Sequence, residues 1–298
     1  MILKGKDLFD AIEKSPKFPK IPKELCDIIN MLQEPEKANI DEIVERIQVV
    51  ENLELMILNF INSEFFKAQR KVINLKDAIV FLGMNTMQVI IIAQIVSYLF
   101  PRDHHEFSAY HKKIYLKHSI GTAVASITIA EWLGEGNKYE LFAYGVLHDI
   151  GVVLYEVCLP DTIDKVQEII IRGNHPVLAE RIVFGGIDHT DIGTWFCEKL
   201  NFPSNISEVI ACHHWPKKSK NRNRNMDILN LGDYISHIYY RDFLIKYYNN
   251  HLRKKKVCKS FKFTMVENSL NIPEEVIEEI CRSLPDDVEK TLKLFKRF

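Results

Sequence analysis

The stretch AYGVLHDIGVVLY, residues 143–155, sets an imidazole beside a carboxylate, His148-Asp149, inside a run of apolar and small residues. A charge buried in such surroundings is costly unless it is paired or coordinates a metal. Neighbours on a helix point about 100° apart, so both can face one point only near a helix edge or end. Alone, the pair is better read as two hydrogen-bonded residues closing a helix. Further histidines and a second aspartate, far off along the chain, change that reading.

Working outward from this pair, period 3.6 dominates and period-2 alternation is scarce, which predicts an all-α protein. Helices are expected over Met1 to Ile12, Lys23 to Gln33, a segment capped by Asn39, and Leu53 to Phe60. Another runs from a cap at Asn74 to Leu82, where Gly83 ends it, and a further one passes through Met87 to Leu99 and stops at Pro101. PRDHHEF, residues 101–107, is polar and proline-initiated and reads as the boundary between two helical lobes, 1–105 and 106–298. His104 and His105 lie there and read as solvated linker residues.

The second lobe begins with a long helix from Tyr110 to Leu133 carrying His118, followed by one from Tyr139 to about Val157 that holds the HD pair. Asp161 to Ile171 and Pro176 to Phe184 follow, and Asp188 can cap the helix of His189. Ser204 to about His214 comes next, and Met226 to Asn249 contains Asp233. The tail, Ile272 to Phe298, reads as two short amphipathic helices split by Pro285 and packed back on this lobe. Two basic stretches, KKSKNRNRN at 217–225 and LRKKKVCK at 252–259, read as solvated connectors or turns.

Composition narrows the class. The 298 residues are 47% apolar and 27% charged with a net charge of −1, which argues against a general nucleic-acid or membrane-surface binder. Six scattered cysteines without a C-x-x-C pair suit reduced thiols and a cytoplasmic setting. The most hydrophobic run, Val89 to Phe100, falls short of the ~20 residues a spanning helix needs, so it is expected in the core.

The candidate ligands, in chain order, are His118, His148, Asp149, His189, His213, His214 and Asp233. The adjacent pairs apart, each sits on a different predicted helix, as in bundles that build metal centres from inward-pointing side chains. Ile114, His118, Thr122 and Ala125 share one helix face, with the small Gly121 beside them. Ile206, Val209 and Ile210 put His213 on an apolar face, and Leu229, Asp233 and Ser236 align likewise. Mixed nitrogen and carboxylate donors suit one or two ions of Fe, Mn, Zn or Ni and select none of them. Two ions bridged by Asp149, about 3.5–4 Å apart, would form a clamp for phosphoester hydrolysis, with Asp149 as its catalytic residue. His111, His175, His237 and His251 read as ordinary core or surface histidines, although His237 lies one turn from Asp233.

The order H…HD…H…HH…D resembles the HD superfamily of metal-dependent phosphohydrolases, in particular the branch that includes the HD-GYP phosphodiesterases. The remainder is similar to the HDOD domain, the HD-related output domain of bacterial signalling proteins. FPKIPKELCDIINMLQE resembles that family's proline-rich opening helix, and ILNFINSEFF and LKDAIVFLGMNTMQVIIIAQIV its next two blocks. AERIVFGGIDHTDIGTWFCEKLNFPSNISEVIACHHWP, residues 179–216, is the most specific match. The resemblance implies one metal held by His118, His148, Asp149 and Asp233, and a second by Asp149, His189, His213 and His214. It also implies a regulatory module with a signalling protein as partner or, alternatively, a phosphohydrolase acting on a nucleotide or cyclic dinucleotide. The chain departs from active HD-GYP enzymes at three places. Val152 stands where they carry a lysine after HDIG, Trp215-Pro216 replaces Gly-Tyr-Pro, and Ile114 occupies the place of their extra glutamate.

Overall fold

A computed structural model describes residues 5–33, 37, 39–63, 71–99, 106–251 and 270–295. Its helices in the first lobe are α1 (Lys6–Glu13), α2 (Lys23–Gln33), α3 (Ile40–Val49), α4 (Leu53–Ile61), α5 (Leu75–Leu82), α6 (Met84–Ala93) and α7 (Val96–Leu99). The second lobe holds α8 (Glu106–Leu133), α9 (Lys138–Leu147), α10 (Ile150–Cys158), α11 (Ile163–Ile171), α12 (Pro176–Phe184), α13 (His189–Lys199), α14 (Ser204–Cys212), α15 (Arg224–His251) and α16 (Glu274–Phe295). No strand occurs among the described residues. His104, His105 and Pro101 at the expected lobe boundary, and the basic stretch 252–259, lie outside the described residues.

Local chemistry sets many of these ends. The Asn39 side chain accepts from the Asp41 N–H at 2.9 Å, and Asn74 accepts from the Asp77 N–H at 2.8 Å. At α13, Asp188 and Asp191 form a reciprocal capping box. Gly185, at φ 68°, ends α12 in the left-handed conformation that glycine adopts without steric cost.

Three elements differ from the expectation. The helix expected through Met87 to Leu99 breaks after Ala93. There the backbone tightens, Gln94 N–H bonding the Ile91 carbonyl and Ile95 N–H that of Ile92, while the Gln94 amide takes the Ile90 carbonyl at 3.3 Å. The HD pair lies in a break between α9 and α10 rather than within one helix. The tail is one helix, α16, running through Pro285. An interior proline costs roughly 3 kcal/mol. Burial of Ile280, Leu284, Val288 and Leu292 against α8 and α15 offsets it.

One continuous core joins the lobes. Val89 to Ile92 and Ile95 are buried, α6 packs on α9, and α1 and α7 pack on α10. The long α8 is the axis of the second lobe, with α9, α15 and α16 laid against it. Small residues line its seam with α15. A β-carbon on Gly232 would stand 2.2 Å from Ser126 Oγ and 2.9 Å from the Thr122 carbonyl oxygen.

Candidate metal centre

The break at the HD pair aims its two side chains. His148 keeps helical angles and donates its N–H to the Tyr144 carbonyl at 2.9 Å, closing α9. Asp149 leaves the helix at φ −98°, ψ 22° and begins α10. Each chain direction thus delivers one of the two neighbours to a common point. α8 brings His118, α13 begins with His189, α14 ends at His213-His214, and α15 brings Asp233.

All seven candidates meet there, and all are buried or nearly so. His118 Nε2 lies 3.2 Å from His148 Nε2 and 3.2 Å from Asp233 Oδ1. Asp149 Oδ2 is 3.3 Å from the Nε2 atoms of both His118 and His148. Its other oxygen, Oδ1, is 3.4 Å from His189 Nε2 and 3.5 Å from His213 Nε2. His189 Nε2 stands 3.4 Å from His213 Nε2 and 3.0 Å from His214 Nε2. The donors therefore form two groups joined through the two oxygens of Asp149 and, at 3.5 Å, by His214 Nδ1 against Asp233 Oδ2.

The outer ring nitrogens show what faces inward. His148 Nδ1 is 2.8 Å from the Gly145 carbonyl, and His213 Nδ1 is 2.8 Å from that of Ile210. A carbonyl only accepts, so each Nδ1 carries a proton, and in the neutral ring each Nε2 presents a lone pair to the cluster. Those lone pairs face one another and the carboxylates, an arrangement that requires positive charge between them. Asp233 Oδ1 is buried without a hydrogen-bond partner. An ion about 2.1 Å from each donor sets neighbouring donors roughly 3.0–3.4 Å apart, close to the separations found here. The residues present fit a metal.

Burial opposes charge on His118 and His148, but Asp149 and Asp233 outweigh it and raise both, His148 well above the ordinary imidazole value, so a proton on these rings also answers the cluster's need for positive charge. Burial alone would raise the Asp149 and Asp233 carboxyls, yet the facing histidines hold both well below the usual range. Burial, with His213 beside it, drives His214 well below the ordinary imidazole value, toward the neutral form that ligates. Burial also opposes charge on His189, but Glu180 outweighs it and raises that group to about 9.

Around the cluster stand residues read from the sequence as ordinary. The His237 ring centroid is 5.0 Å from that of His118, and its Nδ1 lies 3.8 Å from Asp233 Oδ1. His175 caps α12, with its ring centroid 5.5 Å from that of His214. Val152 is partly buried against the core. The stretch 217–225 is tied down, since Ser219 Oγ and both nitrogens of Asn221 donate to Glu208 on α14. Lys218 Nζ rests 4.4 Å above the Trp215 ring. Absent from the candidates was Glu180, which touches His189 from within the core. An acidic residue among apolar neighbours nine positions before that histidine is its only trace in the sequence.

Comparison with known proteins places the fold. The family model described as the HDOD domain matches residues 18–216. An uncharacterized protein of Treponema pallidum (strain Nichols) is 20% identical over 197 residues, 66% of this chain and only 37% of that protein's length. Among solved structures, an HDOD domain protein with unknown function from Geobacter sulfurreducens aligns with a TM-score of 0.64 at 17% identity, covering 96% of this chain and 97% of its own. A candidate phosphohydrolase from Shewanella amazonensis SB2B gives 0.62 at 18% identity, covering 95% and 97%. A candidate signal transduction protein from Marinobacter aquaeolei VT8 gives 0.61 at 17% identity, covering 97% and 65%. At such identities the structural likeness is one of fold.

Proposed function

The chain belongs to the HDOD family, and on that footing we propose that it is a signal-transduction module organised by one or two divalent transition-metal ions. His118, His148, Asp149 and Asp233 would hold one ion, and Asp149, His189, His213 and His214 the other. The observation that carries this reading is the convergence of inward lone pairs on a buried point, with Asp149 shared between the groups. An ion there ties four helices and the α9–α10 break together, so metal binding and folding are coupled. That coupling suits a scaffold whose surfaces are read by another signalling protein. The donors are mixed nitrogen and oxygen, which suits Fe, Mn, Zn or Ni.

A second reading, hydrolysis of a nucleotide or another phosphoester, is favoured by Asp149 offering one oxygen to each group. Bound ions would supply Lewis acidity toward a phosphoester. Asp149 would hold the two groups in register, and the Nδ1 contacts of His148 and His213 would keep their Nε2 atoms presented. Val152, partly buried and apolar, offers no positive charge to a phosphate, which weighs toward the regulatory reading.

Elemental analysis of purified protein, with thermal melts before and after chelation, tests the metal. Bound transition metal and a lower melting temperature after chelation are expected. A protein that retains no metal and melts unchanged with chelator overturns the proposal. Phosphoester turnover by the loaded protein separates the two readings.

A further inference from the structure

Glu180 is 1% exposed and reaches His189 at two points. Its Oε2 accepts the His189 main-chain N–H at 2.8 Å and lies 2.6 Å from the ring Nδ1. Its Oε1 accepts the Tyr155 hydroxyl at 3.2 Å, and the Tyr155 ring packs on Phe184 with centroids 5.2 Å apart. One oxygen therefore fixes both the first residue of α13 and the orientation of its side chain. Of His118, His148, His189 and His213, only His189 meets a carboxylate at Nδ1. His148 and His213 meet backbone carbonyls, and His118 meets the Ser236 hydroxyl at 3.1 Å.

We propose that Glu180 is a positioning residue that makes the two halves of the centre unequal, so that the half containing His189, His213 and His214 takes its ion first. The inference rests on the metal reading above. A carboxylate behind a ligating imidazole locks its tautomer and increases its basicity, and losing such a partner typically costs about 10–100-fold in metal affinity. A carbonyl or hydroxyl partner fixes the tautomer with less charge behind it. The half built from His118, His148 and Asp233 has only such weaker partners behind its imidazoles.

The test is titration of metal-free full-length protein with Co²⁺, read by its visible absorption and by elemental stoichiometry after dialysis against a chelating buffer. Wild type should load in two steps. Glu180→Gln keeps the volume and removes the charge, and should weaken the tighter step about 10–100-fold while leaving the other unchanged. Tyr155→Phe frees only Oε1 and should weaken the same step several-fold. If wild type binds no Co²⁺, the metal reading falls and this inference with it. If wild type loads in two steps and both variants load identically to it, Glu180 is only a cap on α13 and the proposal is overturned. Should Glu180→Gln not fold, Tyr155→Phe decides alone, and unchanged loading overturns the proposal.

Discussion

Gly151 lies so close to His189 that a β-carbon on it would stand 2.0 Å from the His189 carbonyl oxygen. The contact seats α10 directly on α13, and it brings Asp149, two residues before Gly151, against the first residue of α13. No side chain fits there without driving the helices apart, because the obstacle is backbone.

Gly151→Ala should therefore lose stability and metal together. Overpacking costs about 1–3 kcal/mol, and more when backbone must move. The expected outcome is a melting temperature lower by roughly 3–10 °C and reduced metal content. Melting and metal content both at wild-type values would show that the helices are not held at this distance.

Asp149→Ala should be far more damaging than His175→Ala. The first removes the carboxylate that gives one oxygen to each donor group and leaves His118, His148, His189 and His213 facing one another. Both ions should be lost, and chelator should then leave the melting curve unchanged. His175 lies beside His214 rather than in the cluster, so its replacement should leave stoichiometry intact. Equal metal content in the two variants would contradict the assignment.

Asp188 supplies a pH-dependent share of stability. Burial would raise its carboxyl, but the bonds from Thr190, the neighbouring His189 and the ion pair with Arg181 at 2.7 Å lower it below the ordinary value of 3.8. A folded-state pKa below the unfolded one gives stability that is present above the unfolded value and lost as pH falls through the folded one. Asp188→Asn keeps an acceptor for the cap and removes the charge. In metal-free protein the variant should be less stable at neutral pH, by about 1 kcal/mol, with the gap closing below pH ~4. Denaturant melts across that range check it, and a gap independent of pH would refute the charge argument.

Turnover of cyclic di-GMP should be weak or absent in Mn- or Fe-loaded protein. Phosphoryl chemistry depends on positive charge aimed at developing negative oxygens, and losing one such contact costs about 10²–10³ in rate. Val152 supplies none, and Lys218 is drawn over the Trp215 ring. Residual hydrolysis of an activated model ester should vanish in Asp149→Ala. Product formation from cyclic di-GMP at an ordinary enzyme rate would reverse the ranking of the two functions.

Helix positions were legible because their causes are local. Asn39, Asn74 and Asp188 cap the helices that follow them, and Gly83 and Gly185 end helices as their backbone freedom allows. The seven candidate donors were legible for a different reason. Histidine and aspartate on apolar helix faces are costly unless something compensates them, so their recurrence in family order carried information that no single residue held.

Elsewhere packing overrode local rules. Pro285 predicts a break, yet the apolar residues on either side of it bury together and α16 continues. The polar stretch 217–225 predicts a loose connector, yet Glu208 on α14 gathers it. Both outcomes depend on partners distant in sequence.

By itself, then, the sequence determined the helical class, most helix ends and the seven residues proposed as donors, since periodicity, caps and side-chain chemistry act within a few residues. Tertiary structure alone decided that Asp149 divides its oxygens between two groups, that Glu180 stands behind His189, and that Gly151 seats one helix on the next. Each of those is a distance of a few ångströms between segments that only the packing of α8 through α15 brings together.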